Sequence, residues 1–360
     1  MKIDISKIPG SYDGKECYVH ARAGTIGGNK LIMTMQKLNV SGSDLFLPPV
    51  LLKSDDGGRT WTEPKPIAEA TYTDDGTAHL CCDSTHLLHK KTGTAIICGH
   101  SVRYKPGSLT PVFGDSRCTC YFTYEIKNDN CSEMKKIETP HDIYPKDCAT
   151  GCSQFVETDD GDLLIPVYIP RDNRYNSGIM RCSYDGEIVK YKEMSNELSL
   201  DVARGLYEGS LCRFNDKYYL TLRNDECGYW SVSTDGRTFE KQQPWRWDTG
   251  DILPNYNTQQ HWLRCGGKLY LVYTRKAGNN DHIFRHRAPL FMAEVDTENM
   301  RILRHTEQIV VPERGARLGN FGVTQINDNK AIITAAEWMQ PKGCEKYGSD
   351  NSVFITTVEQ

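Results

Sequence analysis

One stretch of the chain, Leu206 to Asp225 (LYEGSLCRFNDKYYLTLRND), carries a carboxylate and a guanidinium in a pattern that brings them together. Glu208 precedes a short apolar run, Arg223 ends the next one, and a polar turn at Asn215-Asp216-Lys217 lies between. Antiparallel strands joined by so tight a turn place the start of the first beside the end of the second. Glu208 and Arg223 are therefore expected at one end of one sheet. A carboxylate there can act as a base or support positive charge developing on a substrate. A guanidinium binds a carboxylate through a planar fork that stays charged. The blandest reading makes the two a mere ion pair.

The element holding this pair repeats. Six apolar strands follow a Gly, Asn or Asp turn: Lys30-LIMTMQ-Lys37, Thr94-AIICGHSV, Asp162-LLIPVYIP, Lys217-YYLTLR, Lys268-LYLVYTR and Lys330-AIITAAEW. Their first residues are 64, 68, 55, 51 and 62 apart. Several strands per unit at such a period is the signature of a β-propeller. One blade cannot bury both its faces, so six packed around an axis give a continuous core. The expectation is an all-β, six-bladed β-propeller in a single domain over 1–360. The N-terminal piece Lys2-Ile3-Asp4-Ile5 should pair with the C-terminal strand Ser352-VFITTVE, which removes two exposed edges.

Polar groups gather at the ends of these strands. The repeated runs end in Gln36, His100, Arg171, Arg223, Arg275 and Glu337. Other strands begin at Asp83, Glu208, Gln259-Gln260-His261 and Asn320. Asn255-YNTQQHW mixes amides with aromatics, as sugar-facing surfaces do, and Asn279 to Arg287 is equally dense. Glu313-Arg314-Gly315-Ala316-Arg317 is a further mouth loop. Loops on a rigid scaffold are where function concentrates. His100, Arg171, Gln260, His261, Arg275 and Asn320 are thus substrate-binding candidates. His100 fits a packed core histidine equally well, and Trp61, Trp245, Trp247 and Trp338 read as packing residues.

Composition narrows the function classes. The net charge of −4, with no basic stripe, argues against nucleic acid. No apolar run approaches a membrane span. The start MKIDISKIPGSYDGKE lacks an apolar signal core, so a cytoplasmic location is expected. The fourteen cysteines are scattered through strand-like segments and read as reduced, buried thiols. Cys81-Cys82 and Cys118-x-Cys120 lack metal-site spacing, so neither metal nor cofactor is expected. Homo-oligomerisation stays open.

The most specific motif is Ser54-Asp55-Asp56-Gly57-Gly58-Arg59-Thr60-Trp61, which matches the Asp box S-x-D-x-G-x-T-W. Ser and Asp side chains bond their own backbone in such a hairpin while Gly takes a left-handed turn. A shorter copy is Ser233-Thr234-Asp235-Gly236-Arg237-Thr238-Phe239, and Ser183-Tyr184-Asp185-Gly186 is a trace. Here the chain resembles the sialidase superfamily of six-bladed propellers, across nearly its whole length. That family orders its functional residues as arginine, aspartate, Asp box, glutamate, arginine, arginine, tyrosine. Arg22, Asp44, the Ser54 box, Glu208, Arg223 and Arg287 stand in that order, with Arg285 the near rival of Arg287. The resemblance implies a carboxylate clamp of Arg22, Arg223 and Arg287. It implies that Asp44 is the acid/base and that Glu208 supports the nucleophile. Asp44 also suits an Asx-turn holding its Gly/Ser loop.

The departure is the tyrosine. Leu318-Gly319-Asn320-Phe321-Gly322 places Phe321 where the family has its nucleophile, and phenylalanine has no hydroxyl to attack with. Tyr207, Tyr256 and Tyr347 are the substitutes the sequence offers. The resemblance implies an exo-glycoside hydrolase releasing a terminal acidic sugar, sialic acid or a relative. Its partner would be a small acidic sugar or oligosaccharide. Two alternatives stand beside it. One is a uronic-acid glycan lyase with His100, His261 or Tyr256 as base. The other is a non-catalytic propeller that binds an acidic sugar.

Overall fold

Each of the six apolar runs is a strand with antiparallel partners on both sides: Lys30–Asn39, Thr94–Tyr104, Leu163–Arg171, Lys217–Arg223, Lys268–Tyr273 and Lys330–Ala336. The computed structural model describes residues 1–42, 44–67, 71–74, 77–108, 110–112 and 117–360. Ser43, within the Gly/Ser-rich loop before Phe46, lies outside them. The runs are the second strands of their sheets. The strand preceding each is the innermost: Glu16–Gly27, Thr77–His89, Val156–Glu157, Tyr207–Phe214, His261–Cys265 and Gly322–Asn327. Each innermost strand packs against the next, and Gly322–Asn327 returns to Glu16–Gly27, so six blades close a ring. The fold is a six-bladed β-propeller.

The last blade is built from both chain ends. Lys2–Ile8 pairs with Val353–Glu359 from Lys2↔Glu359 to Ile8↔Val353. Between blades the core is dry and aromatic, with Trp245 and Trp262 at 5.7 Å and both buried. The hairpin of blade four turns at Asn215 and Asp216, both left-handed, as a two-residue turn matching strand twist demands.

The Ser54–Trp61 octet folds into a turn organised by Asp56. Its Oδ1 accepts from the backbone N–H of Arg59 and Thr60, both at 3.0 Å, and from Ser54 Oγ at 2.9 Å. The Thr60 hydroxyl donates to Oδ2 at 2.6 Å, and this bond first, then the others, holds the Asp56 carboxyl down at about 2. Asp235 repeats the pattern with Arg237 and Thr238, both at 2.8 Å.

Three innermost strands share an irregularity that the alternating sequence pattern hides. Against their neighbours, Val19 to Arg22, Cys82 to Thr85 and Tyr207 to Ser210 each carry one residue too many. These are β-bulges, and they re-aim side chains. At each sits a left-handed, non-glycine residue: His20 (φ 57°), Asp83 (φ 53°) and Glu208 (φ 47°). Cys152 (φ 55°) does the same in blade three. Such backbone costs about 1–3 kcal/mol per residue and persists only where surrounding structure enforces it.

Candidate active site

The bulges of blades two and four aim Asp83 and Glu208 into one cavity of about 780 Å³ at one end of the ring. Tyr207 is paired with Arg223 across the hairpin, so Glu208 lies beside Arg223, which donates to it through NH1. Arg223 NH2 also donates to Asn257 Oδ1 at 3.2 Å, and its guanidinium covers the Tyr207 ring at 4.7 Å. The cavity is further lined by Asp44, Arg117, Tyr168, Tyr175, Arg285, Arg287, Arg317, Asn320 and Trp338.

Positive charge accumulates along blades five and six. Arg287 donates to the backbone O of Asn257 at 2.5 Å and to its Oδ1 at 3.0 Å. Arg285 donates to the same Oδ1 at 3.3 Å. Arg317 lies over Trp338 at 4.1 Å and donates to Gln340 Oε1 at 2.8 Å. Among the described residues, none of these three has a carboxylate partner. The Nε groups of Arg223, Arg287 and Arg317 are buried without a hydrogen-bond acceptor. Burial, reinforced by Arg223 and Arg317, pushes Arg287 down to about 9. Burial likewise pushes Arg317 down to about 10. Both keep their protons at neutral pH, and the downward pressure comes first from burial, which the nearby Glu208 charge offsets only in part at Arg287. Gly319 makes room for this cluster, since a Cβ there would lie 2.8 Å from Arg287 Cδ.

The opposite wall is compensated. Arg117 donates to Asp44 Oδ2 at 3.0 Å and lies 3.1 Å from His100 Nε2. Asp44 is 44% exposed, and its backbone O accepts from the Tyr104 hydroxyl at 2.6 Å. Burial, then Arg117, push His100 down to about 3, so it is neutral and can accept from Arg117. Tyr168, Tyr175 and Tyr207 form an aromatic row, with centroid spacings of 5.1 and 6.1 Å.

Asp44, Glu208, Arg223, Arg285, Arg287 and Asn320 thus meet on one cavity, and six other sequence candidates do not. Arg22 is 1% exposed and lies under the floor, where it contacts Asp83 and donates to the Phe321 carbonyl at 3.1 Å. His100 stands behind Arg117. His261 is buried on Ser210 Oγ at 2.8 Å and packs edge-on to Phe321. Gln260 accepts from Thr221 Oγ1 at 2.8 Å inside the blade. Arg171 and Arg275, at the ends of second strands, are drawn aside by Glu197 and Glu307 at 3.1 and 2.8 Å. Among the tyrosines offered for a nucleophile, Tyr207 is spent on Asp225 and Tyr256 on His286, while Tyr347 packs on His282. None of the three lines the cavity.

Sequence reasoning gave no role to Asp83, Arg117, Arg317, Tyr168 or Tyr175, and it read Trp338 as packing only. Asp83 had a signal, since the sequence set it at a strand start like Glu208, although it lies in the middle of Thr77–His89. Arg117 and Tyr168 had none, because only the ring closure brings them there.

No family model and no curated protein matches the chain. Solved structures do. A protein of unknown function from Dyadobacter fermentans superposes with a TM-score of 0.71 at 15% identity, over 99% of both chains. The fold is shared with sialidases. The Trypanosoma rangeli sialidase, solved with the inhibitor DANA, gives a TM-score of 0.65 at 16% identity, over 98% of this chain. The match takes in 57% of that sialidase, so the chain spans little more than half its length. NanB, solved with Optactamide, gives 0.62 at 10% identity, over 95% of this chain and 68% of its own. No helix among the described residues is long and apolar enough to cross a membrane.

Proposed function

We propose that the protein is a glycoside hydrolase that releases a terminal acidic sugar, sialic acid or a related sugar acid. One observation carries the reading. Arg285, Arg287 and Arg317 converge on a cavity with no carboxylate of their own among the described residues, and buried Nε groups of Arg287 and Arg317 lack acceptors. A bound carboxylate supplies what is missing, and Arg223 completes the clamp from blade four. Asp44, the more exposed carboxylate, is placed to protonate the leaving oxygen. Glu208, set deeper and tied to Arg223, provides negative charge for an oxocarbenium-like transition state. The lyase alternative loses its bases, since His100, His261 and Tyr256 do not line the cavity.

The test is turnover of methylumbelliferyl sialosides and hexuronides by the purified protein. The reading expects release from at least one, falling about 10²–10⁴-fold in Asp44→Asn. A folded protein that releases nothing from either class, while binding the free sugar acids, would turn the assignment to a carbohydrate-binding propeller.

A further inference from the structure

The glycosidase reading still lacks a nucleophile. Phe321 is fully buried, has no hydroxyl, and packs on His261. Its neighbour Asn320 lines the cavity and donates from Nδ2 to Asp83 Oδ1 at 3.2 Å. Arg22 ties the same two places together: Nε donates to the Phe321 carbonyl, while NH1 and NH2 reach Asp83 Oδ1 at 3.4 and 3.3 Å. A carboxylate therefore stands on the floor beside Asn320, tied through Arg22 to the backbone of Phe321.

The Asp83 carboxylate is asymmetrically held. Oδ1 also receives the Cys152 thiol at 2.9 Å and lies 3.1 Å from His20 Nε2. Oδ2 has no hydrogen-bond partner among the described residues, and Asp83 lines the cavity with its side chain 12% exposed. Three donors fix one oxygen, with His20 close by, and none among the described residues holds the other, on a backbone bent into a left-handed conformation.

We propose that Asp83 is the nucleophile of this site, which rests on the glycosidase reading above. Oδ2 gives its lone pair to the anomeric carbon as the glycosidic C–O bond breaks. That bond's electrons pass to the leaving oxygen, which takes a proton from Asp44. The product is a glycosyl ester on Asp83. Water then attacks the anomeric carbon and yields its proton to Asp44, and the ester C–O bond returns its electrons to Oδ2. The sum is glycoside plus water giving sugar plus alcohol, with the anomeric configuration retained.

The surroundings suit a group that must attack and then leave. Burial raises the Asp83 carboxyl, but nearby cationic groups outweigh it and hold it well below the usual carboxylate range. Burial lowers His20 and His100, so Arg22 and Arg117 are the charges present at neutral pH. A weakly basic carboxylate is a poor proton acceptor and a good leaving group. That favours direct attack over activation of water.

The experiment uses whichever methylumbelliferyl sialoside or hexuronide the wild-type protein turns over. Asp83→Ala should lose turnover by at least about 10³-fold. Azide should restore release and give a glycosyl azide of inverted configuration. Quenched wild-type protein should carry the sugar as a mass adduct on the peptide containing Asp83. Asp83→Asn keeps the shape and most hydrogen bonds, so its melting temperature separates lost chemistry from lost folding. Undiminished turnover in either variant overturns the proposal. So does lost turnover without azide rescue and without an adduct, which marks Asp83 as a positioning residue. A wild-type protein that turns over no probe overturns the glycosidase reading itself, and this inference with it.

Discussion

The two sides of the cavity handle charge in opposite ways. Under blades one and two, Arg22, His20, Cys152 and Asn320 converge on a single carboxylate oxygen of Asp83. Along blades five and six, Arg285, Arg287 and Arg317 face the cavity with amide, carbonyl and aromatic neighbours and, among the described residues, no carboxylate in hydrogen-bond or ion-pair contact. Both clusters hold charge out of water, Arg287 and Arg317 in the second, while Arg285 stays exposed. The first is balanced by the protein itself, while on the proposed reading the second is balanced by a bound anion. On that reading the same residue type is structural on one side and substrate-directed on the other, and partner chemistry tells them apart.

Mutations that remove one arginine from each side should separate these roles. Arg22→Met leaves Asp83 buried without its main counter-charge and should cost about 3–5 kcal/mol, read as a lower denaturation midpoint. Arg287→Met removes an uncompensated buried charge. It should leave the midpoint unchanged or raised, while weakening sugar-acid binding by about 10–10²-fold, the worth of a charged hydrogen bond. If Arg287→Met instead unfolds the protein as Arg22→Met does, the contrast between the two sides fails.

Titration sharpens the contrast further. The guanidinium groups of the clamp stay charged, so affinity for a carboxylate should hold from neutral pH to about pH 10. Binding that falls away between about pH 7 and 9 would contradict this. The acid side reads the scaffold. Burial pushes His86, His100 and His261 down to about 3 from 6.5. Between those values the unfolded chain binds more protons than the folded one, so stability falls as pH drops from 6.5 toward 3. His100→Phe should blunt that acid loss slightly, as seen in melting temperature against pH.

The propeller was legible because its evidence is repetition. Six apolar runs at a common period survive the local irregularities of each. The Glu208–Arg223 pair was legible because one tight hairpin fixes it. The rest of the site depends on ring closure. Their places at the ends of the repeated runs made Arg171 and Arg275 binding candidates. The runs are second strands, and Glu197 and Glu307 hold those arginines away from the cavity. The bulges at His20, Asp83 and Glu208 were invisible, since one extra residue inside an apolar strand leaves no mark in its pattern. Arg317 joins Arg287 only because Gly319 lets the chain pass closely, a long-range fact that no spacing encodes.

The most direct test of the account is calorimetric titration with N-acetylneuraminic acid and with glucuronic acid, each beside its methyl ester. The account predicts that at least one free acid binds, that its ester binds at least about 10-fold more weakly, and that Arg287→Met removes the difference. Acid and ester binding alike, or neither acid binding, would contradict the claim that the unpartnered arginines exist to receive a carboxylate.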